Sequence, residues 1–358
     1  MMHLAGRFRW PLGLALAALL AAAPAARAQP APPRVGYVYP AGGRQGTTFQ
    51  VTLGGQRLAD VSAAMVSGAG IQTRVVAHTK PMTPKQANDL RERAQELRKG
   101  KMDPATMKEM AEIRTKLQAF VKKANPALAE TVTLEVTLAP DAAPGERELR
   151  LVAPAGVSNP LVFCVGQLPE FREPPPKPDA LPQGARQANP DRRPAPAAPE
   201  PDTPVALPAV VNGQIMPGDV DRFRFEARRG QRLVVAASAR TLIPYLADAV
   251  PGWFQATLAL YDAQGHEVAY DDDYAFRPDP VLFYEIPADG AYVLEIKDAI
   301  YRGREDFVYR IAVGELPFVT GVFPLGGRAG TPAAVQVSGW NLPVARLAPD
   351  TAAPGIHA

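Results

Sequence analysis

The strongest constraint on this chain's fold is that it spells one stretch of itself twice, without a gap. "YPAGGRQGT" at 39–47 returns 284 residues later as "FPLGGRAGT" at 323–331. The match extends on both sides: Val35, Pro40, Gly42, Arg44, Gly46, Thr47, Val51, Gly55 and Leu58 recur as Val319, Pro324, Gly326, Arg328, Gly330, Thr331, Val335, Gly339 and Leu342. A glycine-rich segment invites a nucleotide reading, but the residues do not fit one. A phosphate loop needs GxxxxGK[ST], and neither copy has the lysine; a dinucleotide loop needs GxGxxG opening a helix. Here the spacing is GGxxG and the following residues alternate. Phe49, Val51 and Leu53 fall on one side after the first copy, and Ala333, Val335 and Val337 after the second, the period of a strand. The repeat is therefore two openings of one β module, at a separation far too long for a solenoid.

The start of the chain reads as an export signal rather than as part of the fold. Arg7 and Arg9 precede the apolar run "PLGLALAALLAAAPA", and "ARA" at 26–28 offers a cleavage site before Gln29, the pattern of a signal peptide over 1–28. That segment holds three arginines and no acid, so the remainder carries 36 basic and 36 acidic residues. The formal charge of +3 belongs to the leader, and no electrostatic footprint for nucleic acid is left. No later run is long and apolar enough to span a membrane. Cys164, the single cysteine, lies in "LVFCV" and reads as a small core residue, not a nucleophile.

Residues 33–168 alternate as a β-sandwich with a helical excursion at 82–126. Ala87, Leu90, Ala94 and Leu97 share one helical face, as do Met110, Ile113, Leu117 and Phe120. Thr83-Pro84 and Asp103-Pro104 supply a cap followed by proline at each start. The pattern predicts an antiparallel helical hairpin with a solvated outer face. The β period then resumes in "ETVTLEVTLAP", where Val132, Leu134, Val136 and Leu138 alternate with threonines and Glu135. Residues 169–206 hold twelve prolines and read as an extended linker. From 207 to 315, "DRFRFEA", "QRLVVAASA", "ATLALYD", "PVLFYEI", "AYVLEIK" and "FVYRIAV" are separated by turn signals, which predicts a second antiparallel sandwich. The fold class is thus mainly β.

This second segment resembles the bacterial pre-peptidase C-terminal (PPC) domain. The residues that carry the likeness are "VVNGQIMPGDVDRFRFEARRGQRLVV", "ATLALYDAQGHEVAYDDD", "IPADGAYVLEIKD" and "FVYRIAV". The resemblance implies a secreted jelly-roll-like sandwich; "LIPYLADAVPGWFQ" at 242–255 departs from it as a longer connection, expected to form a short helix or lid. The flanking copies resemble Ig-like TIG/IPT modules, through "YPAGGRQGTTFQVTLGGQRL" and "APGERELRLVAPAGVSNPLVFCV", although inserted helices are not typical of them. The arrangement is similar to that of large exported proteins of planctomycete-type bacteria. The stretch 316–358 is then expected to be the start of a second such module, truncated.

No catalytic constellation is legible. His78, His266 and His357 lie outside any HExxH, and there is no GxSxG elbow. One acidic cluster stands out, Asp271, Asp272 and Asp273 in "YDDDYAF". Adjacent carboxylates repel unless a cation or basic side chains sit among them. Calcium takes several loop carboxylates, so the triplet is a candidate calcium site, with Asp219, Asp221 and Asp262 as further acids nearby. The competing reading is a solvated turn paired with Arg277, Arg302 or Arg304. No other cofactor is implied. The expected function is non-enzymatic: an exported multi-domain protein mediating binding or domain spacing, with an unidentified glycan, protein or cell-envelope ligand. The alternative is the accessory N-terminal region of a secreted, peptidase-like hydrolase.

Overall fold

The computed structural model describes residues 31–99, 103–122, 125–174, 202–243 and 253–343. The expected signal peptide, the middle of the proline-rich stretch, most of the 242–255 connection, His357 and the last fifteen residues lie outside these.

The first sandwich packs two sheets. One has the order β1 (Arg34–Tyr39), β3 (Thr48–Gln56), β6 (Glu130–Leu138), β5 (Ile71–Thr79). The other has β2 (Gly42–Arg44), β9 (Leu161–Gly166), β7 (Gly145–Ala153), β4 (Ala63–Val66), with β8 (Gly156–Val157) paired to β7. The alternation read in the sequence is the burial pattern found. Val132, Leu134, Val136 and Leu138 are buried while Thr133, Glu135 and Thr137 are half-exposed. They meet Val35, Val51, Leu53, Leu149, Leu151 and Phe163 in one core.

Helices α1 (Pro84–Lys99) and α2 (Pro104–Lys122) lie between β5 and β6, which pair directly from Thr79↔Thr131 onward. Thr83 and Gln86 form a reciprocal cap: Gln86 N–H donates to Thr83 Oγ1 at 3.2 Å, and Thr83 N–H to Gln86 Oε1 at 2.9 Å. Asp103 Oδ1 accepts from Thr106 N–H at 2.7 Å. Ala87 and Ile113 are buried; Leu90, Ala94, Leu97, Met110 and Leu117 are half-buried. Arg93 bridges the helices to Glu109 at 2.9 Å.

The second sandwich stacks the sheet β10-β12-β19-β14-β17 on β11-β13-β18-β15-β16. The strands read from the sequence are β13 (Val220–Ala227), β14 (Arg232–Ser238), β15 (Ala256–Tyr261), β17 (Val281–Glu285), β18 (Gly290–Asp298) and β19 (Val308–Gly314), joined by β12 (Ala209–Gln214) and β16 (Glu267–Asp271). Phe223, Phe225, Leu258, Leu260, Leu294, Tyr309 and Ile311 fill its core. The proline-rich stretch enters this domain at both ends. Its start forms β10 (Glu170–Arg172), parallel to β12, and its end forms β11 (Thr203–Pro204), parallel to β13.

The second copy of the repeat forms a hairpin, β20 (Phe318–Phe323) with β21 (Gln336–Trp340). Its geometry follows the first copy. Both X-Pro bonds, Tyr39-Pro40 and Phe323-Pro324, are cis, and Gly46 and Gly330 take φ of 72° and 73°, angles that glycine adopts without a steric cost. Thr47 and Thr331 each donate their hydroxyl to the carbonyl three residues back, Arg44 and Arg328.

Candidate functional site

The acidic triplet comes first, because the sequence singled it out. Asp271 ends β16, and its Oδ2 accepts from Val281 N–H at 2.7 Å. Burial pushes its carboxyl up, and Asp272 and Asp273 add to that. Asp272 and Asp273 are exposed in the following turn. Two of the arginines expected as partners are held elsewhere: Arg302 by Asp298 at 3.1 Å and Arg304 by Asp306 at 2.6 Å. Arg277 is exposed, and its backbone pairs with Tyr274. The other acids go three separate ways. Asp219 Oδ1 accepts from Val220 N–H, Asp221 accepts from the Tyr309 hydroxyl at 2.6 Å, and Asp262 closes its own turn on Gln264 and His266. Among the described residues no group of three or more His, Cys, Asp or Glu side chains is placed to hold a metal ion.

The outer face of the β11–β16 sheet offers a shallow groove of about 230 Å³, lined by Asp202, Arg222, Tyr261, Asp262 and Val293. Its charges largely satisfy one another. Arg222 reaches Asp202 at 2.9 Å and Glu295 at 2.7 Å, and its guanidinium lies over the Tyr261 ring.

The most constrained chemistry lies at the junction of the sandwiches, which sequence reasoning did not find. "FVYRIAV" reads as an alternating strand with Arg310 turned outward. In the structure β19 is buried on both faces: Tyr309, Ile311 and Val313 face their own core, while Val308 packs into the core of the first sandwich together with Leu242. Arg310 is buried too. Its two terminal nitrogens fork onto Glu170 at 2.7 and 3.1 Å, and one also donates to Asn212 Oδ1 at 2.9 Å. Asn212 Nδ2 in turn donates to Glu170 Oε2 at 2.7 Å and to the Phe171 carbonyl at 3.0 Å. The three side chains thus form a row across β10, β12 and β19, in which each polar group has a partner, as burial requires.

The first sandwich meets this row with backbone. A Cβ added to Gly42 would lie 2.2 Å from the Cys164 carbonyl oxygen and 2.9 Å from Arg310 Nη1. Gly42 of the repeat is therefore a place of close approach, first to β9 of its own sandwich and then to Arg310 of the other, which accounts for a glycine there without any ligand. Cys164 is half-buried beside it, and burial pushes its thiol up, against a smaller lowering by Arg310. Asp279 sets the other contact: its carboxylate accepts from Ala239, Arg240 and Thr241 N–H at 3.1, 2.6 and 3.0 Å, shaping the turn that delivers Leu242 to the first core. Near the same seam Glu173 is half-buried, and its carboxyl is held well above the ordinary range by desolvation, with Asp221 and then Asp219 adding. Burial likewise raises Tyr37 and Tyr39, aided by Glu305 and Glu173 respectively.

No protein-family model matches the chain. A probable subtilase-type serine protease of Deinococcus radiodurans is 39% identical over 80 residues, which is 22% of this chain and 10% of that protein. The match thus spans about a tenth of the length of that curated relative. Among solved structures, the pre-peptidase C-terminal domain of a Bacillus anthracis collagenase aligns at 17% identity, covering 33% of this chain and 98% of that one, with a TM-score of 0.24. The periplasmic lysozyme inhibitor PliG of Aeromonas hydrophila aligns at 16%, over 32% and 98%, with a TM-score of 0.21. The secreted serine protease VesC of Vibrio cholerae aligns at 10%, over 76% and 48%, with a TM-score of 0.20. Scores of this size do not by themselves establish a shared fold; the two β-sandwiches stand on the strand pairing described above. Among the described residues no helix is long and apolar enough to cross a membrane.

Proposed function

We propose that this chain is an exported, non-enzymatic, multi-domain protein whose sandwiches hold attached modules at a fixed spacing and orientation. The observation that carries the reading is the junction. Leu242 and Val308 of the second sandwich belong to the core of the first, and the buried Glu170–Asn212–Arg310 row abuts Gly42. Domains joined only by a tether move independently, whereas side chains of one seated in the core of the other oppose that motion. A rigid pair is what a spacer needs and what a flexible linker would defeat. An unidentified glycan, protein or cell-envelope ligand belongs to the same proposal, with the groove beside Tyr261 as its place.

Small-angle X-ray scattering of the full chain tests the spacing role. A single rigid envelope is expected for residues 31–343, and Arg310→Glu should broaden the distance distribution. Scattering from freely reorienting sandwiches in the unaltered protein would sink the proposal.

A second reading is favoured by one observation, the 39% identity to a subtilase-type protease. The chain would then be the accessory region of a secreted peptidase. Placed on one polypeptide with a subtilase catalytic domain, it should lower KM for a large protein substrate and leave a small peptide ester unchanged. No change for either substrate would discard that reading.

A further inference from the structure

The two copies of the repeat differ in what covers them. In the first, Val35, Val38, Ala41 and Val51 are 1%, 2%, 1% and 1% exposed. Val38 and Ala41 correspond, by the same offset of 284 residues, to Val322 and Leu325. In the second copy Val319, Val322, Leu325 and Val335 are 49%, 41%, 92% and 37% exposed. The first set is buried in the core of the first sandwich against Leu149, Leu151 and Phe163 of the facing sheet, while at the strand edges β6 pairs along β3 and β9 pairs with β2. Among the described residues β21 pairs only with β20, so no counterpart of β6 lies along it.

The backbone records the same absence. Within β3, residues 52–56 are held by β1, whereas 48–51 are held by β6 alone. Adding the offset turns 52–56 into 336–340, and those are the bounds of β21. The counterparts of 48–51, residues 332–335, form no strand. The hairpin is also fixed in place. Trp340 stacks on Phe283 at 4.8 Å and on Phe318 at 5.4 Å, and Asn341 Nδ2 donates to the Arg232 carbonyl at 2.8 Å. An anchored strand with a free edge and an apolar face is a template for strand addition.

We infer that β21 is an acceptor edge for an extended polypeptide strand of β6 type, antiparallel to it, with valine or leucine at alternate positions and threonine or glutamate between. The occupant's chemistry follows from the established β3–β6 interface, whose register is Phe49↔Val136, Val51↔Leu134 and Leu53↔Val132. Transferred to the second copy, apolar side chains of the incoming strand face Ala333, Val335 and Val337. Its addition extends β21 back to Ala333; Pro332, with no N–H, stands at the first position, where a strand tolerates it.

The test is hydrogen exchange by mass spectrometry on the full chain, with a synthetic peptide of the chain's own residues 129–141 added. At ten times its dissociation constant the peptide should slow exchange over 333–338 by about tenfold. A peptide of the same composition in scrambled order, with no alternation of apolar and polar residues, has no apolar face to present in any register, and should not protect. Val335→Lys should abolish the protection while leaving the melting of the two sandwiches unchanged, since Val335 is exposed without the peptide. No protection at millimolar peptide, or equal protection by the scrambled peptide, would overturn the inference. So would protection of 333–338 that needs no peptide and grows with protein concentration, because the occupant would then be a second copy of the chain.

Discussion

Removing the carboxylate of Glu170 should destabilise the second sandwich at the face it turns to the first, and the size of the effect can be worked out beforehand. Arg310 is 6% exposed and receives two charge-assisted hydrogen bonds from Glu170, at 2.7 and 3.1 Å. In Glu170→Ala the guanidinium keeps only Asn212 Oδ1, at 2.9 Å. A buried ion pair broken on one side typically costs about 3–5 kcal/mol, because the survivor is left charged and desolvated. Removing both charges while keeping volume, as in Glu170→Leu with Arg310→Met, is close to neutral by the same argument. Urea unfolding with a slope of about 1–3 kcal/mol per M should therefore show the second sandwich's midpoint fall by at least about 1 M in the single variant and recover in the double one. Scattering of the single variant should show the pair loosening before either sandwich unfolds. A single-variant loss below about 1 kcal/mol would mean that water reaches the guanidinium. The junction would then be a surface contact, and the rigid-spacer proposal would lose its basis.

Three further outcomes are expected. Glu173 is held protonated by burial and by Asp221. Its folded pKa therefore lies above its ordinary value of 4.5, so its contribution to stability is fully present below that value and is lost as pH rises toward the folded one. The urea midpoint should fall between pH 5 and 9, with a slope of up to about 1.4 kcal/mol per pH unit, and Glu173→Gln should flatten the profile; an unchanged profile would refute the assignment. Replacing residues 82–124 by a short Gly/Ser turn should leave the first sandwich folded by circular dichroism, since β5 and β6 already pair from Thr79↔Thr131 and loop length costs little; unfolding would show that Ala87 and Ile113 supply core surface. Calcium at Asp271, Asp272 and Asp273 predicts melting several degrees higher in millimolar calcium than in chelator, abolished by Asp272→Asn; equal melting in both leaves the triplet a solvated turn.

The helices were legible residue by residue. Ala87, Leu90, Ala94 and Leu97 lie inward as their spacing requires, because a helix satisfies its own backbone and its face depends only on neighbours in the chain. The alternation of β6 was equally plain. Arg310 was not: its place in "FVYRIAV" marks an outward position, and only the docking of a second domain turns outward into buried. Asp279 and Glu170 escaped for the same reason, since neither has a motif and each acquires its role from groups up to 140 residues away.

The repeat draws the line most clearly. Whatever depends on nearby residues appears in both copies: the glycine at positive φ, the threonine closing the turn, the antiparallel hairpin. Whatever depends on a distant partner appears in one. Gly42–Arg44 is a strand because β9 lies beside it, while Gly326–Arg328, the same three residues, is not a strand. Thr48–Gln56 runs nine residues and its counterpart only five, Gln336–Trp340. A strand's N–H and C=O groups find their partners across the sheet rather than along the chain. The sequence by itself therefore determined the turn and the hairpin, and the tertiary neighbour decided how far the strands extend.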